Sequence, residues 1–211
     1  MNCTWLLTAL LTLILLLPLA QSGRTGKLLL AILATATLLG GIVAVSTSRP
    51  RLLWGCALLI PAIATVWLQL GNLLPPSSWL ASSSLYSLPF YIFLALQIWT
   101  YIFRSGPVMR DRLVAALCFY LILGLCWAHL YVLVLQHNPQ AIQGIGSGEP
   151  LPEMVYFSYV TLTTLGYGDI SPVSMAARSL SILEAIFGVL FMGALVARLA
   201  GAAQLTEAST T

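Results

Sequence analysis

The chain has 211 residues, 59% of them hydrophobic and only 7% charged, with a mean hydropathy of +0.95; soluble domains carry about 25% charged residues, so this is the composition of an integral membrane protein. Nine basic and six acidic residues leave a formal net charge of +3, too small and too scattered for a nucleic-acid surface. The four cysteines, Cys3, Cys56, Cys118 and Cys126, lie in or beside apolar runs without a C-x-x-C pair or a Cys/His cluster, which argues for packing rather than zinc binding.

A hydrocarbon layer about 30 Å thick takes about 20 residues of helix to cross. Runs of that order are Trp5 to Ala20, Leu28 to Val45, Leu52 to Leu70, Leu85 to Phe103, Leu113 to Leu135 and, last, about Val173 to Leu199. The first could instead be a secretory signal, but it lacks a basic start and its Pro-Leu-Ala end is a poor cleavage site, so a membrane helix is expected. Between the fifth and sixth runs, Pro150 to Thr164 is apolar and aromatic but too short to cross. It reads as a re-entrant half-helix, with Pro150 and Pro152 in its first turn and Glu153 at its positive end.

Basic residues set the expected orientation. Arg49, Arg51, Arg104, Arg110, Arg112 and Arg198 fall on one side, leaving Arg24, Lys27 and Arg178 on the other. The larger group is expected in the cytoplasm, together with the C-terminus. The fourth run, LYSLPFYIFLALQIWTYIF, contains no basic residue. A voltage-sensing helix needs several, because each charge moved through the field is worth about 2.3 kcal/mol per 100 mV. The linker after it, RSGPVMRDR, is broken by Gly106 and Pro107 and is a poor lever. No internal repeat is evident, and no nucleophile, base and acid constellation suggests an enzyme.

The stretch Thr161 to Asp169, TLTTLGYGD, is poor material for plain packing. Glycine inside a buried helix costs about 1 kcal/mol against alanine, and a carboxylate near hydrocarbon costs more. A dehydrating ion needs oxygens to replace its water. Successive backbone carbonyls supply them if they face one axis, whereas an ordinary strand sends them alternately to two sides. Residues with positive φ at intervals turn the carbonyls round, and Gly166 and Gly168 take that conformation without steric cost. Thr164 adds a hydroxyl at the inner end, and Tyr167 is expected to turn away and pack against Tyr156, Phe157 and Tyr159. One such segment offers oxygens on one side of an ion only, so four copies are needed to close the cage.

TTLGYGD resembles the selectivity filter of potassium channels, and YFSYVTLTTLGYGDISP is similar to bacterial members with a two-helix pore. The likeness covers Arg112 to Leu199. It implies that Thr164, Leu165, Gly166 and Tyr167 supply ion-binding carbonyls for K+, that Gly168 permits the exit turn, and that Asp169 stands at the outer mouth. It implies further that a pore helix over about Glu153 to Thr163 aims its negative end at the axis, tied to the filter by Thr161 and Thr163 hydroxyls. Gly188, with Gly193 as a second candidate, would be a gating hinge of the inner helix, or else a site of close helix packing. The pore helix begins Tyr156-Phe157 where many relatives have two tryptophans, so Asp169 lacks its usual partner, and the Tyr156 hydroxyl is the expected substitute.

Three further polar residues lie in or beside the apolar runs. Glu184 is expected to hydrogen-bond pore-helix hydroxyls behind the filter rather than to face the cavity. His129 is read as a neutral histidine near Trp127 and Tyr131 rather than a pH sensor, and His137 as a loop residue.

The expected protein is therefore an all-α integral membrane protein with six transmembrane helices, a re-entrant pore helix and a filter, assembled as a homotetramer. Residues 1–105 would form a four-helix region without sensor charges, 106–203 the pore domain, and 204–211 a cytoplasmic tail. Expected function is passive, voltage-insensitive K+ conduction across the plasma or inner membrane, with no cofactor and with the filter facing outside. A non-selective cation pore and a silent subunit of a hetero-oligomeric channel are the alternatives.

Overall fold

The computed structural model describes residues 3–21, 23–45, 49–71, 83–103, 110–146 and 148–208. Seven helices follow one another: α1 (Cys3–Leu15), α2 (Gly23–Val45), α3 (Arg49–Leu70), α4 (Ser83–Ile102), α5 (Arg110–His137), α6 (Pro150–Leu162) and α7 (Met175–Ala208). Two short strands, β1 (Ile142–Gln143) and β2 (Ser171–Pro172), pair antiparallel with Ile142 opposite Pro172. The expected all-α architecture thus carries one small sheet, built from the loops on either side of α6.

Five of these helices, α2, α3, α4, α5 and α7, are long and apolar enough to cross a membrane. The first apolar run behaves differently. Its α-helix has 13 residues, about 20 Å at 1.5 Å per residue, and it gives way to a 3-10 turn over Leu17–Gln21. Pro18 explains the stop, because it offers no N–H and its ring collides with the carbonyl of Ile14. At the other end of the chain, α7 continues past Leu199 through Ala208, into the segment expected to be a tail.

Among the described residues one hydrophobic core draws on all seven helices. Leu6 and Leu10 of α1, Leu38 of α2, Phe90, Leu94 and Ile98 of α4, Ile122 of α5 and Met154 of α6 all belong to it. α5 is its spine: α4 and α1 pack on it, and so do α6 and α7. The expected domain boundary at 105/106 and the Gly106-Pro107 break lie outside the described residues.

Ion pairs and ring contacts sort the ends of the helices. The Lys27 ammonium, at the start of α2, lies 2.6 Å from Glu149, just before α6, and the Arg178 Nε–H donates to the Pro172 carbonyl at 3.3 Å. Arg198 lies at the far end of α7, its guanidinium 5.4 Å from the centre of the Phe103 ring. Lys27 and Arg178 therefore share the end that carries β1, β2 and the start of α6, as the distribution of basic residues predicts.

Candidate functional site

The site begins where α6 ends. Pro150 and Pro152 occupy its first turn, and the Glu153 carboxylate accepts the Gly146 N–H at 2.9 and 3.2 Å, so the acidic residue near the positive end also ties down the preceding loop. At the other end the chain tightens instead of extending. Thr163 N–H donates to Tyr159 O (3.0 Å), Thr164 N–H to Thr161 O (2.9 Å), and both Leu165 N–H (2.9 Å) and Gly166 N–H (3.3 Å) to Val160 O.

Beyond this point the backbone alternates in handedness. Thr164, Gly166 and Gly168 have φ of 59°, 59° and 82°, while Leu165 and Tyr167 between them do not have positive φ. Alternation of this kind swings successive peptide planes to one side. For glycine the conformation is free of steric cost, but for β-branched Thr164 it stores about 1–3 kcal/mol of strain. Thr164 is the only non-glycine residue with positive φ among the described residues. Sequence reasoning assigned the left-handed positions to the glycines alone and missed it, since threonine is disfavoured there. The Thr164 hydroxyl donates to Thr163 O at 2.7 Å, which spends its proton and leaves its oxygen lone pairs available.

Two expected contacts are not made. Thr161 and Thr163 hydroxyls bond back to Phe157 O (2.9 Å) and Tyr159 O (2.6 Å) within their own helix, so the tie to the following segment is backbone, not hydroxyl. A short hydroxyl reaches the carbonyl four residues earlier more readily than it reaches past the helix end. Tyr167 is 68% exposed, and no ring contact joins it to Tyr156, Phe157 or Tyr159 among the described residues. Those three are engaged elsewhere: Tyr156 with Asp169 (2.7 Å), Phe157 edge-on against Tyr131 (4.9 Å), and Tyr159 with Leu121 O (2.6 Å). Leu165 is likewise 55% exposed in the single chain.

The outer end of the segment is clasped by the α5–α6 loop. Gly144, at φ 86°, comes so close that a Cβ there would lie 2.0 Å from Asp169 O. Val173 N–H and Ser174 N–H both donate to Ala141 O, at 2.8 and 3.1 Å, and β1 pairs with β2 between them. The glycine-rich sequence QGIGSG was the available signal for this crossing. The Tyr156 hydroxyl donates to Asp169 Oδ2, the contact expected in place of the missing tryptophan, and it holds the Asp169 carboxyl below the usual carboxylate range.

Behind the segment lies a buried polar cluster. Glu184 of α7 is fully buried, and its carboxylate oxygens meet the Ser158 hydroxyl of α6 and, at 2.6 Å, the Tyr131 hydroxyl of α5. Ser158 also lies 2.7 Å from Gly124 O, and Tyr131 lies 3.2 Å from Ser181 Oγ. Glu184 thus meets a hydroxyl of α6, as expected, and it joins three helices at one point. Gly188, one turn further along α7, abuts Leu162 O so closely that a Cβ would lie 2.2 Å away, whereas Gly193 has nothing within 4 Å. His129 has other neighbours than expected: its Nδ1 lies 3.0 Å from Ser84 Oγ, and its ring stacks 5.4 Å from Tyr91, both in α4. His137 is the last residue of α5 rather than a loop residue.

These features define a multi-pass helical membrane protein with a short helix and a left-handed turn folded between two long helices. Residues 115–204, from the first turns of α5 into the last part of α7, match a family model described as an ion channel. No curated protein and no solved structure matches the chain.

Proposed function

We propose that the chain is a subunit of a potassium-selective channel, four copies of which surround an axis along residues 164–169. Carbonyls of Thr164, Leu165, Gly166 and Tyr167, with the Thr164 hydroxyl, would replace the hydration shell of K+, the permeant ion. Gly168 would form the exit, and Asp169, held by Tyr156, the outer mouth. The observation that carries this reading is the alternation of positive φ at positions 164, 166 and 168, directly after a short helix whose negative end leads into it. The exposure of Leu165 and Tyr167 in one chain supports neighbouring copies as their cover.

Conduction is passive and weakly dependent on voltage, because α4 offers no basic residue to move in the field. The filter end faces outside, and the end carrying Arg198 faces the cytoplasm of the plasma or inner membrane. Glu184 and Ser158 hold α6 in place behind the filter, and no cofactor takes part. Purified protein in planar bilayers with K+ on one side and Na+ on the other tests the reading. The current should reverse near the K+ equilibrium potential and change little in open probability with voltage; reversal near zero would defeat selectivity.

A further inference from the structure

A helix leaves its last four carbonyls without intrahelical partners. In α6 these belong to Tyr159, Val160, Thr161 and Leu162, and the first three are taken up by N–H groups of residues 163–166. Leu162 O is taken up by a different element. The Tyr120 hydroxyl, reaching across from α5, donates to it at 3.2 Å. The same carbonyl is closely approached by Gly188, whose missing side chain allows the α7 backbone to come near. The Tyr120 ring in turn stacks on Phe191 of α7, with centroids 6.1 Å apart and planes at 22°.

Leu162 O is the last carbonyl before the Thr163–Thr164 turn, and Thr164 carries both the strained φ and the hydroxyl at the inner end of the segment. We infer that Tyr120 is a positioning residue for the innermost ion site: its hydroxyl fixes the Leu162 carbonyl, and with it the orientation of the Thr164 carbonyl and hydroxyl. The inference rests on the channel reading above. Without the Tyr120 donor, Leu162 O would have to find its partner by rotating its peptide plane, and that rotation would be passed to Thr164 through a turn only two residues long. The Phe191 stack keeps the Tyr120 ring in reach of this carbonyl, and it does so from the helix that carries Gly188.

Tyr120→Phe keeps the ring and removes only the donor. Its test is a pair of melting curves, in K+ and in Na+, together with bi-ionic reversal potentials in bilayers. Anything that binds the folded state raises Tm, so the excess Tm in K+ over Na+ reports the ion sites themselves. The parent protein should show this excess and a K+-selective current. Tyr120→Phe should lose at least half of the excess, with little change in Na+, and its K+ to Na+ permeability ratio should fall several-fold. A merely structural role would lower Tm equally in both salts, and that outcome, or an unchanged excess and ratio, overturns the inference while leaving the channel reading intact. A parent protein with neither K+ excess nor K+-selective current overturns both. If Tyr120→Phe does not assemble, Phe191→Leu decides: without the stack the Tyr120 hydroxyl is held less firmly against Leu162 O, so the K+ excess should fall, and an unchanged excess overturns the inference.

Discussion

Gly188 and Gly193 look alike in sequence, both small residues in the apolar stretch of α7, yet their surroundings separate them. A methyl group at 188 would meet a backbone carbonyl, which has no rotamer to yield. Gly188→Ala is therefore expected to destabilise the protein by about 1–3 kcal/mol, the range for overpacking, and to lower the yield of assembled protein on detergent gels. Gly193→Ala meets nothing in the single chain, and the gain in helix propensity of about 0.5–1 kcal/mol should make it neutral or stabilising in the same assay. The pair distinguishes close packing from a hinge: a bend at 193 would be stiffened without loss of assembly. At Asp169 the sign of the pH effect follows from its depressed pKa. The contribution of the ionised carboxylate to stability is fully present above the ordinary aspartate range and is lost as pH falls through the lower folded value. Tyr156→Phe removes the first cause of that depression, so loss of current on external acidification should begin at higher pH in the variant, measured by titrating the outer bath.

Among the elements, α6 is held from two sides by groups that hydrophobic periodicity does not reveal. Glu184 serves Ser158 and Tyr131 at once, and removing it leaves both hydroxyls buried without that acceptor. Glu184→Ala should cost several kcal/mol, through the lost hydrogen bonds to the carboxylate and the cavity left behind, with Ser158 and Tyr131 falling back on Gly124 O and Ser181 Oγ, whereas Glu184→Gln keeps an acceptor and the shape and should cost markedly less. Chemical denaturation in mixed micelles compares the two. The sequence made the existence of α6, its proline start, its acidic first turn and Glu184 legible, because those follow from local rules. It did not reveal Thr164 in the left-handed region, because intrinsic preference points the other way and only the surrounding bonds overrule it. Counting apolar residues also overstated the first span, since Pro18 sits inside the run and stops the helix. The partners of His129 come from α4, Ser84 forty-five and Tyr91 thirty-eight residues away, and no local pattern reports contacts of that separation.

For the molecule as a whole, the four helices ahead of α5 share its core instead of hanging from it. α4 packs on α5 more extensively than any other pair of helices, and Cys118 Sγ reaches Cys3 O at 3.4 Å, so α1 and α4 grip the same helix. A sensor that slides needs a looser seam than this one. The Lys27–Glu149 pair adds a link at the end carrying β1 and β2, but its exposure limits its worth to about 0.2–1 kcal/mol. A double-mutant cycle with Lys27→Ala and Glu149→Ala should return a coupling in that range that shrinks as salt is raised. A coupling that salt leaves unchanged would mean that the loop and α2 communicate by packing rather than by charge.

Of the five long helices, α7 is the barest, with Ile182, Ile186, Leu190 and Val196 facing outward along its length. It follows the other described helices in the chain and so leaves the ribosome after them. The earlier described helices can settle against one another before it arrives, which leaves this apolar rod as the last piece of the described fold to find its cover. In the assembly proposed above, joining with sister copies would then be an encounter between prefolded bodies in the bilayer, at a speed that depends on how densely the membrane is populated with them.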